Sequence, residues 1–218
     1  MAPHQNITEL RQQIVDTALE LSNKGLSSGA AGNVSFRTEA GFVITPTGIK
    51  PDQLSIDQLV RLDYDGSILE GGLRPSSEWQ MHSLIYQNRP DIDAVVHCHS
   101  CYATALACCH QDIPAFHYMI AIAGGNSIRC APYALFGSEQ LAKAAVTAMD
   151  ERYACLLANH GQLTGANSLT EALNLAIEVE ELSASYHACL TLGNVQILSE
   201  GDMHSVLKKF SSYGQQDV

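Results

Sequence analysis

His97 and His99 flank Cys98 directly after the apolar run Ala94-Val95-Val96. Side chains alternate along a strand, so the two imidazoles share one face about 7 Å apart at the backbone, a span from which both can reach a single ion. Cys98 then faces the opposite way. His160 closes a second apolar run, Leu156-Leu157-Ala158-Asn159, and is followed by Gly161, which reads as a turn. Strand ends are where open sheets place their sites. Glu78, in the first turn of a helix, offers a carboxylate. Three histidines and one displaceable carboxylate suit zinc in a catalytic role. His4, His82, His110, His187 and His204 carry no such pattern and read as surface or hydrogen-bonded residues.

Ser76 and Ser77 immediately precede Glu78, so the same helix start offers hydroxyls, free backbone N–H groups and a positive dipole end, the makings of a phosphate site. The turn Thr45-Pro46-Thr47-Gly48 and the loop Gly29-Ala30-Ala31-Gly32-Asn33 offer further backbone donors. Cys98-x-x-Cys101 with Cys108-Cys109 is a rival thiolate set, but it reads better as core packing in an alanine-rich helix. No dinucleotide, nucleoside-triphosphate or serine-hydrolase motif is present. The five lysines fall in loops, on a helix face or in the tail, so none is placed for Schiff-base chemistry.

Helical spacing of apolar residues predicts a helix over 7–23, and alternation predicts paired strands at 34–37 and 42–45. Asp65-Gly66 predicts a hairpin between 59–64 and 67–69. A helix opens at 76–78 and runs to about 88, a strand follows at 94–98, and a helix spans about 102–109. Ser138 caps a helix to about 149, 153–158 reads as a strand, and Ser168-Leu169-Thr170-Glu171 is a capping box for a long helix. A last helix spans about 203–211. Hairpins early and interspersed helices later give an α/β fold, a mixed, mainly antiparallel central sheet flanked by helices, in a single domain over 1–218.

With 46% hydrophobic and 16% charged residues, the chain has the composition of a packed protein. A net charge of −11 without a basic cluster argues against nucleic acid as a partner. No apolar run approaches a membrane span, the first residues lack an export signal, and seven scattered cysteines read as reduced, mostly buried thiols. The expected location is cytoplasmic.

Gly32-Asn33-Val34-Ser35, Ile44-Thr45-Pro46-Thr47-Gly48, Ser76-Ser77-Glu78-Trp79, Val96-His97-Cys98-His99 and Asn159-His160-Gly161 together resemble the class II aldolase/adducin family, a likeness running from about residue 7 to Tyr213. The resemblance implies a three-layer sandwich and one zinc per subunit, held by Glu78, His97, His99 and His160, with Glu78 also the acid/base. It implies phosphate contacts from Gly32, Asn33, Thr47, Gly48, Ser76 and Ser77. The stretch His117-Tyr118-Met119-Ile120 with Gly124-Gly125-Asn126-Ser127 is similar to the family's aldolase branch, where Tyr118 would reach a neighbouring subunit's site. Tyr213 would serve catalysis from the tail. The implied assembly is a homotetramer with sites at subunit interfaces. The implied reaction is cleavage of a ketose 1-phosphate to dihydroxyacetone phosphate and an aldehyde, which Phe116 and Tyr118 would face. The family's pentulose-phosphate 4-epimerases carry aspartate where Glu78 stands; sugar-phosphate dehydratases and a non-catalytic adducin-like module are the other branches.

Overall fold

The computed structural model describes residues 7–210. Nine strands among them form one continuous sheet. In chain order these are β1 (Asn33–Thr38), β2 (Gly41–Ile44), β3 (Val60–Leu62), β4 (Ile68–Glu70), β5 (Ala94–Cys98), β6 (Ile113–Pro114), β7 (Ser127–Ala131), β8 (Ala154–Leu157) and β9 (Gly161–Ala166). Their spatial order is β4-β3-β2-β1-β5-β9-β8-β7-β6. Every neighbouring pair is antiparallel except β7 with β8. The helices are α1 (Ile7–Asn23), α2 (Trp79–Asn88), α3 (Cys101–Cys108), α4 (Glu139–Ala148), α5 (Leu169–Leu192) and α6 (Glu200–Phe210), with a 3₁₀ segment over Tyr118–Ala123.

Alternation along the central strands divides the core into two layers. Val95, Cys155, Leu157 and Leu163 face α2 and α4, packing on Met81, Ile85, Leu141 and Ala145. On the other side, Val34, Ala94 and Val96 meet α1 and the start of α5. Ala154 and Leu156 meet α3 and the middle of α5. Helices on both faces of a mixed, mainly antiparallel sheet are the architecture expected from sequence.

The expected elements are present with ends shifted by up to three residues, as in α6, which begins at Glu200 and not at 203. Three strands went unforeseen: β6, β7 and β9. Gly161 is therefore the first residue of β9, and the turn before it spans 158–160. In β9 the first five residues are buried, but they include two glycines, Gln162 and Thr164, so the run carries no apolar stretch that marks a buried strand. The expectation of mostly buried thiols is corrected. Cys98 and Cys155 are buried, but Cys101, Cys108 and Cys109 are exposed, because α3 is short and turns one face and its C-terminal end to solvent.

Candidate active site

Glu78 is delivered by a stapled loop. Thr47 N–H donates to the Arg74 carbonyl at 3.1 Å and Ser76 N–H to the Thr45 carbonyl at 3.0 Å, locking the 45–47 turn against the run into α2. Thr45 Oγ1 accepts from Val34 N–H at 3.2 Å and ties the same turn to β1. Glu78 is the N-cap of α2 and not a first-turn residue. Its N–H is taken by Ser76 Oγ at 3.3 Å, so part of the anion-binding potential of this helix start is spent internally. Ser76 keeps its own hydroxyl proton to give, and among the described residues the hydroxyls of Thr47 and Ser77 engage no partner.

His97 lies at the end of β5 on the face shared with Val95, and Cys98 points the other way into the α1 layer. His99 follows just past the strand. The β8–β9 turn brings in His160, whose N–H donates to the Leu157 carbonyl at 3.0 Å. Asn159 supplies the left-handed residue of that turn at φ 54°, a conformation asparagine tolerates. The three rings stand 4.7–5.0 Å apart between centroids, and one nitrogen from each falls within 4.8 Å of the others. Gly32 closes the site from the β1 side: at φ +85°, a Cβ there would lie 2.6 Å from Ser27 Oγ and 2.8 Å from the His97 carbonyl oxygen.

These donors fit a divalent ion. His97 Nδ1 donates to the Gln162 carbonyl at 2.8 Å, which leaves a lone pair on Nε2 of the neutral ring. That nitrogen faces His99 Nε2 at 3.0 Å and Glu78 Oε2 at 3.1 Å. Three electron-rich atoms so close repel unless a cation lies among them. Glu78 Oε1 is buried, 3.3 Å from His160 Nε2, and accepts no hydrogen bond. Tetrahedral ligands about 2.1 Å from zinc sit about 3.4 Å from each other, close to the observed spacings. Cys98 and Cys101 do not join the cluster.

With the protein groups alone, the electrostatics centre on His97. Burial opposes its charge, but contact with the Glu78 carboxylate outweighs burial and raises its pKa. Burial lowers His99 and His160 to about 4, helped by the charge of His97. Burial would raise Glu78, yet His97, His160 and the Asn33 amide together hold it well below the usual carboxylate range.

A cavity of about 330 Å³ opens in front of this cluster. Gly32, Asn33, Thr47, Ser76, Ser77 and Glu78 line it together with His99 and His160. Among the described residues, no lysine or arginine lines it. Gly48 sits beside Thr47 on the turn but is not among the lining residues. Tyr118 is 51% exposed and lies outside the cavity of its own protomer. Phe116 is corrected: it packs against Tyr186 in the α5 layer, with ring centroids 5.1 Å apart. The aromatic residues at the mouth are Tyr133 and Phe136, which carried no spacing signal. Gly137 sets this loop against the helix start, since a Cβ at its φ of +70° would lie 2.6 Å from the Ser77 carbonyl oxygen. Tyr213 lies outside the described residues.

A sheet ending in three histidines and a carboxylate beside a helix start with free hydroxyls defines a candidate metal centre that faces an anion-binding cavity. The chain belongs to the class II aldolase and adducin family, whose Class II Aldolase and Adducin N-terminal domain model matches residues 12–187. It is 47% identical over 207 residues to the L-fuculose phosphate aldolase of Escherichia coli, covering 94% of this chain and 96% of the relative. It is 45% identical over 205 residues to the 5-methylthioribulose-1-phosphate/5-deoxyribulose-1-phosphate aldolase of Rhodospirillum rubrum, covering 94% of this chain and 92% of the relative. A solved L-fuculose 1-phosphate aldolase superposes with a TM-score of 0.92 at 39% identity, covering 96% of this chain and all of that one. The chain is accordingly an aldolase of the metal-dependent class. The five lysines are all exposed, consistent with a reaction that needs no lysine adduct.

Proposed function

We propose that this aldolase uses zinc, one ion per subunit, to cleave L-fuculose 1-phosphate reversibly into dihydroxyacetone phosphate and L-lactaldehyde. The observation that carries the reading is the convergence of three imidazoles and Glu78 beside a cavity that Ser76, Ser77 and Thr47 also line. His97, His99 and His160 hold the ion and Glu78 completes its ligand set. The bound ion polarises the ketone oxygen and stabilises the negative charge that develops beside it.

The remaining work belongs to the chain. Gly32, Asn33, Thr47, Gly48, Ser76 and Ser77 grip the phosphate, and the missing lysine or arginine favours backbone and hydroxyl donors. In cleavage, the C4 hydroxyl passes its proton to the Tyr118 hydroxyl of a neighbouring subunit, which releases its own proton to solvent as the C3–C4 bond breaks and the aldehyde leaves. The electron pair left at C3 then takes a proton that Glu78 relays from solvent. In synthesis, Glu78 removes that proton, a task suited to a carboxylate whose basicity is set by its neighbours. Tyr213 assists from the tail. The exposed position of Tyr118, outside its own cavity, supports a homotetramer with sites between subunits. A cytoplasmic location accords with helices too short or too polar to cross a membrane among the described residues.

A second reading is that the preferred substrate is 5-deoxyribulose 1-phosphate or its 5-methylthio analogue, favoured by the Rhodospirillum rubrum relative. A coupled assay for dihydroxyacetone phosphate, run on the zinc-loaded protein with all three ketose 1-phosphates, decides. The highest kcat/KM is expected with L-fuculose 1-phosphate. Preference for either other sugar moves the assignment, and no cleavage of any of them removes it.

A further inference from the structure

His82 stands one turn beyond Glu78 on α2, fully buried, and takes no part in the reaction described above. Both ring nitrogens are engaged. Nε2 pairs with Asn33 Oδ1, and Nδ1 lies 2.6 Å from Ser35 Oγ. Ser35 Oγ is also 2.6 Å from the Tyr86 hydroxyl. At the other end, Asn33 Nδ2 lies 3.1 Å from Glu78 Oε2. Asn33 and Ser35 share one face of β1, and Glu78, His82 and Tyr86 recur every fourth residue from the start of α2, so one strand face and one helix stripe build the whole chain of contacts.

The direction of every hydrogen bond follows from the carboxylate. An ionised Glu78 only accepts, so Asn33 turns its amide N–H toward it and leaves Oδ1 as acceptor. His82 must then carry its proton on Nε2. A neutral ring has a bare Nδ1, which accepts from the Ser35 hydroxyl, and the Ser35 oxygen in turn accepts from Tyr86. A doubly protonated ring would reverse the outer half. Burial works against that form, holding His82 down to about 3 against the smaller pull of Glu78. An asparagine amide is nearly symmetric in shape, so packing alone does not choose which end faces Glu78. A flipped Asn33 would aim its carbonyl oxygen at the carboxylate and push it away.

We propose that His82 is a positioning residue: through Asn33 it fixes the Glu78 carboxylate, tying Oε2 on the His97 side and leaving Oε1 uncommitted beside His160. This rests on Glu78 being both ligand and acid/base, and the zinc measurement below separates the two ideas because it needs no turnover.

In the zinc-loaded protein labelled with ¹⁵N-histidine, NMR is expected to show His82 as the neutral Nε2–H tautomer at neutral pH. The Nδ1–H tautomer or a charged ring overturns the proposal. His82→Leu is expected to weaken zinc roughly 10- to 100-fold in chelator competition and to lower kcat at least as far, with KM moving less. His82→Gln places an N–H where Nε2 was and is expected to restore most of both. Unchanged zinc affinity in His82→Leu, or a loss that His82→Gln does not restore, overturns it. Should His82→Leu not fold, Ser35→Ala removes the donor to Nδ1 and is expected to weaken zinc and mix the tautomers; a wild-type result there counts against the proposal equally. If wild-type protein cleaves no ketose 1-phosphate, the functional reading falls and the zinc and tautomer results still judge His82.

Discussion

Glu78 has one oxygen that accepts from Asn33 and faces His97 and one without a hydrogen bond, which separates holding an ion from moving a proton. Glu78→Gln keeps a neutral oxygen ligand and loses the base. It is expected to retain zinc by metal analysis while kcat falls by about 10²–10⁴; full turnover would remove Glu78 from the mechanism. The histidines carry an acid-stability signature. His82 titrates near 3 in the folded chain against an ordinary 6.5, so between those values the unfolded chain binds a proton that the folded one refuses. Stability should therefore fall as pH drops through that window, by roughly 1.4 kcal/mol per pH unit from His82 alone. His99 and His160, partly exposed and lowered to about 4, add in the same direction with a smaller weight. His97 is raised and works oppositely, its contribution present below 6.5 and lost as pH rises. Glu78 is depressed, so its contribution is lost only in stronger acid. Denaturant midpoints of chelator-treated protein at pH 7.5 and 5 check the net fall. At this scale the pairing of His97 with His99 on one face was legible because alternation is a hard rule, and His97, Cys98 and His99 obey it. His82 was not, because its partners Asn33 and Ser35 lie more than 45 positions away and nothing local distinguishes it from a surface histidine.

The elements that carry these residues are held by contacts no periodicity reveals. Glu180 on α5 receives the N–H groups of Tyr102 and Ala103 at 2.8 and 2.9 Å, capping α3 directly after His99 where Ser100 makes no side-chain cap. Glu180→Ala should cost about 1–2 kcal/mol in chemical denaturation, with zinc affinity reduced because the run after β5 loses its anchor. Gly32→Ala should cost about 1–3 kcal/mol through its left-handed backbone alone and displace β1 from His97, seen as lower melting temperature and lower zinc content together. Helices announced themselves through caps, as Ser138 and Ser168 do by accepting from Leu141 and Glu171 N–H. Strands β6 and β7 did not, since one is two residues long and the other keeps only Ile128 and Ala131 buried.

For the whole molecule, the cavity mouth ends in exposed Tyr133, Leu135 and Phe136, and Tyr118 is exposed elsewhere on the surface. If Tyr118 completes a neighbour's site, Glu78→Gln and Tyr118→Phe are each nearly inactive alone. Coexpressed, they should recover a measurable fraction of wild-type activity in mixed oligomers, because some sites then pair an intact Glu78 with an intact tyrosine. No recovery would place Tyr118 in its own protomer's chemistry or outside it altogether. The expectation of an assembly came only through family likeness, for a sequence prints no neighbour.

Asn33 faces His97 across β1 and β5, and Cys98 faces Gln162 across β5 and β9. A one-place slip at either seam turns an imidazole or its support to the wrong side of the sheet. Tight uptake of the dication thus reports that three distant stretches have already been threaded correctly. An ion held here would add its binding free energy to the correctly threaded chain alone.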